Sequence, residues 1–311
     1  MFGGYFILFI TIPELSVAVL LPLFLFAGEH LLRKRSYLCI VWIAVLILMV
    51  FLGGGPETTL LFFAFAYLYF FIRVVSDAAL RTVWRNCASS FALATVAGLA
   101  LSMIVILPFA EYLPHSWNNH EPTHLGGSFR GVEHDKTVLA AFTYLFPLVF
   151  GAVDTIVPPY VTYGLRNYFG IVSFFLALLA LGTAVSRKPV RNESFCAQTL
   201  FFAAAALFVV LKRFGIAVNW IGALPFFRLL DFPKYNELLL SVSIAILSGI
   251  GLHQLLRRNV SLHLRTIALA ISFLLFPFAL LRGSKALRKA TLSRTLIRAC
   301  RCWLSVLPSV C

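Results

Sequence analysis

The residues best equipped for chemistry fall in one run, Leu224-Pro225-Phe226-Phe227-Arg228-Leu229-Leu230-Asp231-Phe232-Pro233-Lys234-Tyr235-Asn236-Glu237. It sets two cations and two carboxylates in an aromatic, proline-rich stretch. Arg228 and Lys234 suit a departing phosphate, because cations held against developing negative charge in a low-dielectric site are a strong catalytic lever. Arg228 with Asp231 serves equally as an ion pair at an interface. A second group is Pro108, Glu111, His115 and Ser116. Glu111 is a candidate general base toward a sugar hydroxyl, and its alternative is a solvated interfacial carboxylate.

The third group is Gly53-Gly54-Gly55-Pro56-Glu57-Thr58. Three glycines and a proline permit a tight turn with exposed amides that can meet a phosphate or sugar hydroxyl, with Gly54, Gly55 and Glu57 as the contacts. The same residues also make a plain hairpin between two helices, Glu57 favouring the start of the second. Asn167-Tyr168-Phe169-Gly170 adds Tyr168, placed either on substrate or in an interfacial aromatic belt. His115, His120, Glu121, His124 and His134 match no standard metal-ligand spacing, so no metal site is assigned and no cofactor is evident.

These groups must be positioned by membrane helices. The chain is 60% hydrophobic and only 12% charged, with 31 Phe, and its mean hydropathy is +0.91, far outside the soluble range. The formal charge of +14 comes from Lys and Arg in short connectors, which is orientation chemistry; nucleic acid is not an expected partner, whereas the lipid bilayer is. Six cysteines make no disulfide framework.

Taking about 20 apolar residues per crossing, spans are expected near Ile12 to Ala27, Tyr37 to Leu52, Thr58 to Ile72, Ala88 to Ala110, Tyr168 to Val185, Phe195 to Leu211, Leu238 to Leu256 and Ile267 to Leu281. The fold class is therefore all-α, a polytopic membrane bundle of about eight helices, since an isolated strand in hydrocarbon leaves its backbone unpaired. Basic residues crowd every second connector, around Arg33 to Arg35, Arg73 to Arg85, Arg187 to Arg191 and Arg257 to Arg265. By the positive-inside rule these face the cytoplasm, and Glu57, Glu111 and Arg228 face the opposite side. The apolar segment 138–153, broken by Pro147 and Gly151, would invert every later span if it crossed. It is read as re-entrant or interfacial within one long external loop, 111–167.

Residues 1–281 thus form the transmembrane domain. Residues 282–311 carry no acidic residue and would fall outside, so they read either as a non-native frame or as an interfacial amphipathic helix using Leu296, Trp303 and Leu304. The apolar opening, Met1 to Ile10, lacks the features of a signal peptide and reads as the interior of a longer protein. Glu14 is interfacial if the first span begins beside it and intramembrane if that span is longer. Leu247-Ser248-Gly249-Ile250-Gly251-Leu252 supplies small residues for close helix packing.

In order, Pro13-Glu14 to Arg33, Gly53-Gly54-Gly55-Pro56-Glu57, Pro108 with Glu111 and Ser116, Phe146-Pro147, Phe150-Gly151, Tyr168-Phe169-Gly170, Pro225 through Tyr235 and Leu247 to Leu252 resemble the YfhO-like bacterial membrane proteins. These are multi-span proteins of the GT-C glycosyltransferase type. The resemblance covers roughly residues 10–280 and implies transfer of a sugar from a polyprenyl-phosphate carrier to a cell-envelope glycopolymer acceptor, at the outer face of a bacterial cytoplasmic membrane. Gly54-Gly55-Pro56-Glu57 stands where the family shows Gly-His-Pro-Gln, Asn118 where it often has Arg, and Asp231 where a basic residue is usual. The acidic motif that such proteins carry in their first external loop is expected upstream of residue 1. Two alternatives from other classes are a transporter or flippase of lipid-linked sugar and a non-enzymatic membrane scaffold.

Overall fold

The computed structural model describes residues 13–112, 115, 144–145, 168–185, 193–213 and 237–257. Among them the chain is all-helical: α1 Pro13–Lys34, α2 Tyr37–Leu52, α3 Pro56–Ser76, α4 Ala78–Arg81, α5 Trp84–Tyr112, α6 Ile171–Val185, α7 Glu193–Arg213 and α8 Glu237–Leu256. Four helices are long and apolar enough to cross a bilayer: Leu15–Lys34, Thr58–Ser76, Trp84–Tyr112 and Leu238–Leu256. That is the signature of an integral membrane protein. Tyr37–Leu52, Ile171–Val185 and Phe195–Leu211 are shorter apolar helices. Seven expected spans therefore coincide with helices, and the eighth, Ile267 to Leu281, lies outside the described residues.

Local chemistry explains the reversals. Arg33 and Lys34 close α1, where cations complement the helix dipole. Arg35 takes a left-handed φ of 49°, and Ser36 then caps α2 by accepting from the Leu38 N–H at 3.3 Å. At the other end of α2, Gly54 and Gly55 have φ of 74° and 73°, a region where a Cβ is strained, and Pro56 opens α3 with its ring already set for a helix. Asp77 separates α3 from α4 and caps α4 by accepting from the N–H groups of Ala79 and Leu80. The Arg81 guanidinium donates to the Val75 carbonyl at 2.7 Å, satisfying a terminal acceptor of α3.

The core is aromatic and continuous. Phe24 of α1 sits edge-on to Phe62 and Phe63 of α3, and Phe65 and Tyr69 of α3 meet Phe201 and Phe202 of α7 at ring separations of 5.1 to 6.1 Å. Small residues bring other helices close. Gly98 of α5 lies so near Ile47 of α2 that a Cβ would come within 2.7 Å of its side chain, and Gly251 of α8 lies directly against the Leu176 carbonyl of α6. Ser248 reinforces that second seam with its hydroxyl 2.9 Å from the Ser173 carbonyl. Phe26, Trp42, Phe71, Val96 and Ile104 point outward and are more than half exposed, an apolar exterior that lipid covers and water would not tolerate.

Successive helices reverse, so their ends sort into two sets. One set gathers the C-termini of α1, α3, α6 and α8 with the N-termini of α2, α5 and α7, and carries Arg33, Lys34, Arg35, Arg73, Arg81, Arg85 and Arg257. The other gathers the Gly53-Gly54-Gly55 turn, the C-terminus of α5 and the approach to α6. One boundary differs from expectation: α1 does not stop near Ala27 but continues through Gly28, Glu29 and His30 to Lys34. Burial of Leu31 and Leu32, 1% and 2% exposed, gives that last turn a packed face that hydropathy around three cations conceals.

Candidate functional site

At the less basic end, Gly54 and Gly55 form the α2–α3 turn, Glu57 is the second residue of α3, Glu111 is the penultimate residue of α5 and Tyr168 stands just before α6. Two turn amides are already engaged: Gly53 N–H donates to Met49 O at 2.9 Å and Gly54 N–H to Phe51 O at 3.3 Å, closing α2. Glu111 is exposed, at a helix C-terminus where the dipole disfavours a carboxylate. Counting at 1.5 Å per residue from the Gly98–Ile47 contact, Glu111 lies roughly 20 Å along α5 while Gly54 lies roughly 10 Å along α2. The carboxylate therefore stands well beyond the turn. The Tyr144 carbonyl accepts from the N–H groups of Phe169 and Gly170 at 3.0 and 3.2 Å, tying residue 144 of the segment 138–153 to this same end. Ser116, Arg228 and Lys234 lie outside the described residues, as do most of that segment and the basic tail.

The polar cluster that sequence reasoning missed is at the basic end. Glu29 Oε1 accepts from the Tyr69 hydroxyl at 2.8 Å and from Arg73 Nε at 3.0 Å, and Arg73 Nη1 donates to Asp77 Oδ2 at 2.7 Å. Arg73 is only 6% exposed, so its charge is viable only because two carboxylates neutralise it. Arg73 holds the Asp77 carboxyl below its ordinary range, the largest cause being their hydrogen bond, with help from the Ala79 and Leu80 amides against partial desolvation. Glu29 Oε2 has no hydrogen-bond partner although it is buried, and Arg33 Nε is 3.6 Å away. The signal was legible in part: Glu29 and Arg33, like Arg73 and Asp77, are spaced i,i+4 next to apolar helix.

Beside this cluster a groove of about 410 Å³ opens between α1, α7 and α8. Pro22, Leu25, Phe26, Phe202, Ile246 and Ile250 form its apolar wall, and Glu29, His30, Arg33, Tyr69 and Gln198 its polar part. Along α1 the lining residues recur at helical spacing from Pro22 to Arg33, apolar over the first turns and polar over the last, a run of roughly 16 Å. His30 stacks on Phe26 at 5.3 Å between ring centroids, which fixes the border between the two parts. Among the described residues no group of three or more His, Cys, Asp or Glu side chains is arranged to hold a metal ion. No family model, no curated protein and no solved structure matches the chain.

Proposed function

We propose that this chain is the multi-pass membrane module of a GT-C-like glycosyltransferase in a bacterial cytoplasmic membrane, moving a sugar from polyprenyl phosphate to a cell-envelope glycopolymer at the outer face. The observation that supports the reading is that the Gly54-Gly55 turn, Glu111 and Tyr168 all fall at the end of the bundle opposite its arginines, although Glu111 stands well beyond the turn. In this mechanism an acceptor hydroxyl gives its proton to Glu111 as its oxygen bonds the anomeric carbon. The bond from that carbon to the phosphate oxygen breaks, and polyprenyl phosphate leaves against Arg228 and Lys234. Gly55, Glu57, Ser116 and Tyr168 orient the sugar and phosphate, the Gly54 amide being engaged with the Phe51 carbonyl.

The test is label transfer from a radiolabelled polyprenyl-phosphate sugar in membranes carrying the full-length protein. Labelled glycopolymer is expected, reduced about 100-fold or more by Glu111→Ala and strongly by Arg228→Ala. Absence of covalent product while labelled lipid still moves between leaflets would replace the transferase with a flippase. That second reading draws on the groove beside Glu29, which grades from apolar to polar along α1 as a path for an amphipath would.

A further inference from the structure

We infer that the groove between α1, α7 and α8 binds an amine-bearing phospholipid, its acyl chain along Leu25, Phe26, Phe202 and Ile246 and its headgroup at Glu29 and Arg33. The inference is independent of the transferase reading. Three observations converge on this ligand. The lining changes from apolar to polar in one direction along α1, which matches a molecule with a tail at one end and a charged head at the other. The polar part carries both signs of charge, a carboxylate and a guanidinium, which matches a zwitterion better than an anion. Finally, one carboxylate oxygen has no donor: Tyr69 and Arg73 occupy Glu29 Oε1, while Oε2 is buried without a hydrogen bond.

An unmade bond to a buried charged oxygen is costly, and a ligand ammonium supplies it. Arg33 overlies Oε2 at 3.6 Å and its side chain is 69% exposed, so it is free to swing outward. A lipid phosphate draws Arg33 toward the headgroup layer, and the ammonium attached to that phosphate takes its place on Oε2. The groove lies at the bundle end that carries the arginines, where headgroups meet the protein surface. A phosphate without an amine satisfies Arg33 and leaves Oε2 bare. A trimethylated amine carries the charge but has no N–H to give.

The experiment is native mass spectrometry of the full chain in detergent, titrated separately with phosphatidylethanolamine, phosphatidylcholine, phosphatidylglycerol and polyprenyl phosphate of known concentration. Phosphatidylethanolamine is expected to bind at least about fivefold tighter than phosphatidylcholine. Glu29→Gln should remove most of that preference, whereas Arg33→Gln should weaken the binding of both lipids alike and leave the preference in place. Arg33 is exposed, so its variant folds even if the Glu29 variant does not, and the headgroup series on the unaltered protein needs no variant at all. Equal binding of phosphatidylethanolamine and phosphatidylcholine overturns the inference. So does a preference that survives in Glu29→Gln, or tighter binding of either amine-free lipid, which would make the groove a phosphate site alone.

Discussion

Glu29 on α1 and Arg73 on α3, 44 residues apart in the chain, meet with Oε1 and Nε 3.0 Å from each other inside a wall of aromatic rings. With the Tyr69 hydroxyl donating to the same carboxylate oxygen, the pair gives α1 and α3 a polar contact beside their aromatic packing. A buried charge pair is satisfied in only one geometry, so this contact favours a single register of α1 against α3, as does the close fit of Gly28 against Phe70.

Removal of Arg73 leaves Glu29 and Asp77 near each other without their shared cation. Arg73→Ala is expected to destabilise the bundle by about 3–5 kcal/mol, the usual consequence of breaking a buried pair from one side. Arg33→Ala should change stability by less than about 1 kcal/mol, since an exposed pair contributes little. Thermal unfolding in detergent compares the two, and equal effects would contradict the assigned burial.

Gly251 and Gly249 lie two residues apart in α8 with opposite surroundings. A Cβ at Gly251 would strike the Leu176 backbone carbonyl, whereas at Gly249 nothing lies within 4 Å. Gly251→Ala should separate α6 from α8 and lower the Tm, and Gly249→Ala should leave it unchanged or raise it, Ala being the better helix former by about 1 kcal/mol. A cysteine pair at Ser173 and Ser248 reports the seam directly: crosslinking is expected in the Gly249 variant and lost in the Gly251 variant.

Asp77 gives a pH dependence with a definite sign. Its carboxyl titrates below the ordinary value of 3.8 in the folded chain, so the folded state favours the ionised form. Its contribution is complete above the unfolded value, declines as pH falls below about 3.8 and is gone beneath the depressed folded value. The stability difference between the unaltered chain and Asp77→Asn should therefore be constant near neutrality and shrink only in that acid window. A difference already vanishing near pH 6 would point to another group.

Topology is open to single-cysteine labelling in intact cells. Cysteines at Glu57 and Glu111 should react together from one side, and cysteines at Arg81 and Arg187 from the other. Labelling of positions 57 and 187 from a common side would dismantle the proposed outer-face site.

Much of the architecture was written in one dimension. Seven apolar runs became seven helices because a chain that buries so little polar surface has few other ways to pair its backbone in lipid. The run from Leu247 to Leu252 read as a packing surface, and Ser248 and Gly251 do press on α6. The chemistry was less legible. Glu29 looked like part of a basic connector because three cations follow it, and only the burial of Leu31 and Leu32 shows that the helix persists. Arg73 read as one more cytoplasmic marker, although its side chain turns inward to two carboxylates.

Composition and the alternation of charge along the chain determined by themselves that this is a helical membrane protein, and they predict which connectors share a side. Those are solvation properties, fixed residue by residue by the transfer of side chains and backbone between water and hydrocarbon. Which carboxylate meets which guanidinium, which glycine admits a neighbouring backbone and where a groove remains unfilled were decided only by the tertiary structure. Each depends on the rotation and depth of helices relative to one another, and hydropathy, which in lipid is nearly indifferent to both, carries no record of them.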